Sequence, residues 1–437
     1  MTEATLTAPV KYRGALSDLS GADRRSLFER ARGGDTVVHE RTAAILRRVR
    51  ADGDLALLEM ASEYDGVTLE ALEVPADVRR RALASIDPRV RRALEHAARN
   101  ITAFHDASRP QAVEIETEPG VVVGRRPDAL ARVGIYAPGG RAPYASSVLM
   151  AAVPARVAGV PEIILCSPAG KDGYPAAVVL AACEIGGVDR VFAVGGAGAI
   201  AAMAYGTECI PGVDKIVGPG NAYVAEAKLL VSSVVGIDSP AGPSELMVIC
   251  DSSCDPDTIA REVLAQAEHD VDACVVVLAL DSATASVVAS TIERTISRML
   301  RAGVILSALQ QNGAILTAAS IVEAVQFASE YSPEHLLLAV ADPDRLLPEI
   351  RNAGCVFVGE QSSVVFGDYI TGGNHVLPTG GAARRYSGLG SPDFVRWTSY
   401  QKVSGPAAKR LARDTVILAE AEGLQCHAAA ASAWSSP

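Results

Sequence analysis

Apolar positions along the chain follow two different periods, and the change near residue 130 divides it. Before that point they recur at helical intervals in a background rich in Arg, Glu and Asp. Within 79–109, Leu83, Ile86, Val90, Leu94 and Ala97 keep this spacing, which predicts one apolar helix face. Asp87-Pro88 in the same stretch predicts a cap and a restart, because Asp accepts from the free N–H groups of a first turn and Pro fits there. Beyond 130, short β-branched runs alternate with alanine-rich helical ones. Strands are expected at 132–137, 162–166, 190–194 and 215–217, with helices at 145–160, 175–185, 199–205 and 222–235. A second block repeats the pattern without repeating the sequence. Its strands are expected at 246–250, 274–280, 314–316, 335–340 and 355–358, and its helices at 258–268, 284–299 and 321–331. Such alternation marks βαβ units around parallel sheets, so the fold class is α/β. A glycine-rich stretch, 359–392, has little regular pattern, and 406–432 is again helical. The boundaries adopted are 1–130, 131–240, 241–385 and 386–437.

Composition narrows the function classes. A chain of 437 residues holds two to four structural units and buries substantial cores. Few aromatics, 5%, with abundant Ala, Val and Gly suit tight helix-on-sheet layers. A net charge of −11 argues against a general nucleic-acid binder, which needs a basic face, and tolerates a small cationic substrate. The first residues lack the apolar core of a secretory leader. The apolar stretch 148–165 is interrupted by Pro154, Arg156, Pro161 and Glu162, so no membrane span is expected and the cytoplasm is the expected location. Eight scattered cysteines read as small buried hydrophobes in a reducing compartment.

Histidine is scarce, seven residues in all, and four of these stand beside amides, carboxylates, glycine or cysteine. Imidazole binds transition metals and moves protons near neutral pH. Gln266 and His269 share a helix face near its C-terminal end, where they are either two metal donors or two surface polar residues. Glu334-His335 follows a helix-ending Pro333 and opens an apolar run. A carboxylate and an imidazole at a strand mouth stand at or near the place where open α/β sheets hold ligands; the plainer reading is a polar loop entering a strand. One of the pair could take a substrate proton while the other handles water. Asp368 and His375 lie in the long glycine-rich loop, which is either a site or a surface excursion. Asp368 offers a hard oxygen ligand, and His375 is open between ligand, loop-orienting donor and neither. Glu422 and His427 are separated by roughly 140° on an ideal helix, so they meet one ligand only if the chain bends near Gly423. Two His, one Asp and one Gln together suit Zn²⁺ or a similar ion. No HExxH and no GxSxG motif occurs. The glycine turns at 137–140, 194–198 and 218–221 could present backbone N–H groups to a phosphate or serve only as tight turns.

Eight ordered blocks, YAPGGRAPYASSVLM, VFAVGGAGAIAAMAYGTE, VDKIVGPGNAYVAEAK, PAGPSE, AQAEHD, YSPEHL, GDYITGGNHVLPT and EGLQCH, resemble those of the histidinol dehydrogenase family over nearly the whole chain. The resemblance implies oxidation of L-histidinol to L-histidine through bound L-histidinaldehyde, with reduction of two NAD⁺, the last two steps of histidine biosynthesis. It implies one Zn²⁺ per subunit on Gln266, His269, Asp368 and His427. It implies substrate contacts from those four residues and from Ser244, His335 and Glu422. His335 would be the base for the hydroxyl proton, Glu334 the group that activates water, and Tyr136 and Asn221 the NAD⁺ contacts. One departure is Gly198, where the family often carries Gln. The implied architecture is two incomplete Rossmann-like domains with an N-terminal helical segment packed on the second. A C-terminal helical segment would reach the partner's site in an intertwined homodimer, bringing Glu422 and His427 across the interface. Two other readings fit the same residues: a metal-dependent hydrolase of a small amide or imine with Glu334 as base, and a metabolite-binding protein without turnover.

Overall fold

A computed structural model describes residues 10–30, 36–139, 143–240 and 242–435. Residues 1–9 and 31–35 of the first segment, Gly140 of the 137–140 turn and Ala241 of PAGPSE lie outside the described residues.

The chain opens with β1 (Tyr12–Ala15) and α1 (Gly21–Phe28), followed by α2 (Thr36–Met60), α3 (Ala76–Ser85) and α4 (Pro88–Ala107). The break between α3 and α4 falls at Asp87-Pro88, where the Asp87 carboxylate accepts from the Arg89 N–H at 2.7 Å. Two strands, β2 (Val113–Glu118) and β3 (Val121–Ala129), lead into the first α/β block. That block comprises β4 (Arg132–Tyr136), α5 (Ala145–Ala158), β5 (Glu162–Cys166), α6 (Ala177–Gly186), β6 (Arg190–Phe192), α7 (Gly196–Tyr205), β7 (Lys215–Val217), α8 (Ala222–Val231) and β8 (Gly236–Ile237). The second comprises β9 (Glu245–Cys250), α9 (Pro256–Ala267), β10 (Cys274–Ala279), α10 (Ser282–Ile296), α11 (Ala302–Asn312), β11 (Gly313–Thr317), α12 (Ile321–Tyr331), β12 (His335–Ala339), α13 (Pro343–Leu346), β13 (Cys355–Val358) and α14 (Val364–Tyr369). The chain then forms β14 (Val395–Val403), α15 (Gly405–Ala421) and α16 (Gln425–Ser432).

Both blocks are parallel sheets wound the same way. Strand order is β6-β5-β4-β7-β8 in the first and β1-β11-β10-β9-β12-β13 in the second. In each, the chain builds outward through three strands, returns to the centre and continues on the other side. The reversal falls between β4 and β7 in one sheet and between β9 and β12 in the other. Helices cover both faces, so the central strands are apolar throughout; Ile163, Ile164, Leu165, Met247, Val248 and Ile249 are all fully buried.

The first segment divides between the two sheets. β1 pairs with β11, and Phe28 after β1 meets Phe327 of α12 edge-on at 5.4 Å. By contrast α2 packs on α7 and α8, α3 on α6, and α4 on α5. This corrects the expectation that residues 1–130 pack on the second block. The apolar face of α4, with Leu94, Ala97 and Ile101, joins the core under the first sheet. The terminal segments are also not wholly helical. β14 pairs antiparallel with β3, from Val395 opposite Ala129 to Val403 opposite Val121, and β2 completes a third sheet. No described helix is long and apolar enough to cross a membrane.

Candidate active site

The strongest concentration of chemistry lies at the amino ends of β9 and β12, which are neighbours with His335 opposite Leu246. Open α/β sheets usually hold ligands at carboxyl ends; Glu334-His335 opens β12 at the other end. His335 shares a strand face with Leu337 and Ala339, the face packed against α9, α10 and α11. Its Nδ1 lies 3.0 Å from the Glu245 carbonyl. A carbonyl only accepts, so Nδ1 carries the proton and Nε2 keeps a bare lone pair. Nε2 faces Asp368 Oδ1 at 3.7 Å. Burial pulls the imidazole pKa down to about 4, against the opposing pull of the Glu245 carbonyl and with help from His375 and His269. The ring is therefore neutral at pH 7. Glu334 is buried, and its Oε2 accepts from the Glu245 N–H at 2.7 Å. Burial pushes its pKa well above the usual carboxylate range.

Asp368 reaches this point through α14. Glu262 of α9 anchors the start of that helix, accepting from Ser363 Oγ at 2.5 Å and from the Val364 N–H at 3.1 Å. Gly367 allows the helix to lie on Phe357, since a Cβ there would stand 2.6 Å from the ring. Burial, with the Glu262 charge, pushes the Asp368 carboxyl up to about 7. His375 donates from Nδ1 to the Asp368 carbonyl at 2.7 Å, and its Nε2 receives the Ser147 hydroxyl at 2.9 Å. It therefore ties the loop to α5 of the first block. Gln266 lies one turn beyond Glu262 on α9. It is buried, and its amide nitrogen has no hydrogen-bond partner among the described residues. His269 follows the helix end, close enough to act electrostatically on His335 and His375. Ser244 immediately precedes β9 and is half-buried at the same edge.

Glu422 and His427 are not joined to this cluster by any bond among the described residues. Both are exposed, at the end of α15 and in α16, and α16 packs on α15. Among the described residues no group of three or more His, Cys, Asp or Glu is arranged to hold a metal.

The first sheet presents its carboxyl ends. Tyr136 closes β4, is buried, and accepts the Gly196 N–H on its hydroxyl at 3.1 Å. Gly218 follows β7 with φ +120°, and a Cβ there would lie 2.1 Å from the Tyr136 carbonyl oxygen. Asp238 holds the Gly218 N–H at 2.7 Å and Lys228 its carbonyl at 3.0 Å. Asn221 caps α8, its Oδ1 accepting from the N–H groups of Tyr223 and Val224 at 3.0 and 3.1 Å. Tyr136 and Asn221 thus flank the crevice where strand order reverses. Gly198 is buried in α7 against Leu57 and Met60 of α2.

Sequence reasoning passed over Arg30, Glu245 and Glu262. A usable signal existed for Glu245: a carboxylate opening the apolar run ELMVIC must be paired if the run is buried.

Comparison with known proteins identifies the family and the fold. The histidinol dehydrogenase family model matches residues 29–434. A histidinol dehydrogenase of Methanosarcina barkeri is 44% identical over 414 residues, 94% of this chain and 95% of that one. One of Methylococcus capsulatus is 46% identical over 400 residues, 91% and 92% of the two chains. The crystal structure of histidinol dehydrogenase from Elizabethkingia anophelis superposes with a TM-score of 0.93 at 33% identity, covering 98% of each chain. This chain belongs to the histidinol dehydrogenase family.

Proposed function

We propose that the chain oxidises L-histidinol to L-histidine with two NAD⁺, using Glu334 and His335 as its catalytic residues and one Zn²⁺ per subunit. The observation that carries the reading is the bare His335 Nε2, buried and facing Asp368 at 3.7 Å. In the first oxidation this nitrogen takes the hydroxyl proton while the carbinol carbon passes a hydride to NAD⁺, leaving the aldehyde. Glu334 then takes a proton from water, whose oxygen adds to the aldehyde carbon. The hydrate anion so formed gives a second hydride to a second NAD⁺, and the resulting acid leaves as the carboxylate, its last proton and those on His335 and Glu334 passing to solvent. The buried strand edge retains the aldehyde between the two steps.

The donor set fits a borderline divalent ion. Gln266 presents a buried amide whose nitrogen has no partner among the described residues, and its oxygen would be the ligand. Burial and the Glu262 charge hold the Asp368 carboxyl high, a penalty that a cation beside it would relieve. Gln266, His269 and Asp368 would hold Zn²⁺, with the partner's His427 as fourth ligand. When bound, the ion supplies a template for the substrate's imidazole and amino nitrogens. Ser244 and the partner's Glu422 complete the substrate contacts. Tyr136 and Asn221 line the nucleotide crevice of the first sheet. The homodimer this requires is supported by apolar side chains left exposed on the C-terminal arm, Leu418 at 65% and Trp434 at 60%. Eight free cysteines accord with a cytoplasmic location.

Mixing the purified protein with NAD⁺ and L-histidinol should give NADH absorbance at two equivalents per histidinol. Chelation should abolish it and Zn²⁺ restore it. A Zn²⁺-replete protein that forms no NADH would overturn the proposal.

A further inference from the structure

We infer that Arg30 and Glu245 form a buried positioning pair that holds Glu334 and His335 in working geometry. Arg30 stands just after α1, in a segment remote in sequence from both. Its Nε and Nη2 meet the two Glu245 oxygens at 2.8 and 2.9 Å, with the side chains 5% and 1% exposed. The guanidinium lies over the Tyr331 ring at 3.5 Å. Nη2 also donates to the carbonyls of Tyr331 at 2.8 Å and Ser332 at 3.2 Å.

That grip falls on a strained point. Ser332 is buried in the left-handed region, φ 57°, two residues before Glu334. Glu245 completes the arrangement from the other strand. Its carboxylate accepts from the N–H groups of Gly380 at 2.6 Å and Glu334 at 3.3 Å. Its own N–H holds the Glu334 carboxylate, and its carbonyl holds His335 Nδ1. One residue therefore fixes both side chains and selects the His335 tautomer that leaves Nε2 bare. Packing alone does not demand such a pair, because apolar side chains of similar volume usually stabilise a buried site as well or better. A planar fork locked at both ends does limit angular play, and a misplacement of about 1 Å can cost on the order of 100-fold in rate.

This inference rests on the catalytic roles proposed above, so the test separates the two. Arg30→Lys, Glu245→Gln and the double variant are purified as full-length protein beside His335→Asn. Each is assayed for kcat, for KM with L-histidinol, for Zn²⁺ content and for far-UV circular dichroism. Each single variant should lose about tenfold or more in kcat, with KM, Zn²⁺ content and fold kept. The double variant should lose little beyond the worse single one, because the two residues act as one unit. An active His335→Asn would sink the catalytic reading itself. An inactive His335→Asn beside Arg30→Lys and Glu245→Gln with kcat within about twofold of the parent would sink only the positioning role. If one single variant does not fold, the other decides by the same criteria. Failure of both to fold, or a rise in KM with parallel loss of Zn²⁺, would assign the pair to the fold and overturn the inference.

Discussion

The two parallel sheets share one winding order, yet the residues proposed for function stand at opposite ends of them. In the first, Tyr136 at the carboxyl end of β4 and Asn221 just beyond β7 are the proposed nucleotide contacts. In the second, the equivalent crevice between β9 and β12 is filled by its own turn, where Asp251 accepts from the N–H groups of Ala341 at 3.0 Å and Ser253 at 2.9 Å. Its proposed catalytic pair, Glu334 and His335, stands at the amino ends. The difference has a physical root. Helix N-termini at carboxyl ends suit phosphates. Unpaired N–H groups at the amino ends suit carboxylates, and here Glu245 and Gly380 supply them to Glu334 and Glu245. Topology alone thus does not locate a site; what fills each edge does.

Three perturbations can break or sharpen this division. The largest effect is expected from Gly218→Ala, which forces a Cβ against the Tyr136 carbonyl. KM for NAD⁺ should rise about 100-fold while Zn²⁺ content holds. An unchanged KM would remove the β4/β7 crevice from nucleotide binding. Next comes Glu262→Gln, which weakens the anchor of α14. Zn²⁺ affinity, read by chelator competition, should fall about tenfold with kcat of the Zn²⁺-loaded enzyme nearly kept. Unaltered affinity would reduce Glu262 to a helix cap without bearing on Asp368.

The smallest effect concerns two buried imidazoles, both pulled down to about 4 by desolvation. His335 is wired to Glu245, whereas neither ring nitrogen of His105 in α4 has a hydrogen-bond partner among the described residues. In each case the unfolded chain, with a His pKa near 6.5, binds more protons than the folded one between pH 4 and 6.5. Stability is therefore fully present above that window and falls as pH drops through it. His105→Leu should remove its share of that loss, on the order of 1 kcal/mol at pH 5. Thermal melts at pH 7 and pH 5 check this, and an undiminished difference between them would show that His105 does not titrate on unfolding.

The sheet strands were legible because burial on both faces writes a continuous apolar run, as at Ile163–Leu165 and Leu336–Leu338. Caps were legible where Asp precedes Pro, at Asp87 and Asp255. The third sheet was not. Val113–Glu118 alternates with glutamates and is largely exposed, and Val395–Val403 carries mostly polar side chains. Their pairing is decided by partners far away in sequence. α14 has only six residues, too short for a period to register. Gln266, His269, Glu334, His335 and Asp368 stood out because polar groups punctuate apolar runs there. Arg30 and Glu262 did not, since their partners lie in segments far away in sequence. Glu422 and His427 stand apart from that cluster within one chain, so their part in the site rests on the proposed homodimer.

The ribbon of β14 on β3 joins residues 395–403 to residues 121–129. During synthesis β3 must therefore wait for nearly everything that follows it, tens of seconds at ordinary ribosomal speed. Both parallel sheets can be complete before this closure, leaving one β3 edge unpaired on the nascent chain for that interval. Such an edge invites aggregation, so the yield of this protein in a cell will depend on how well that waiting strand is shielded.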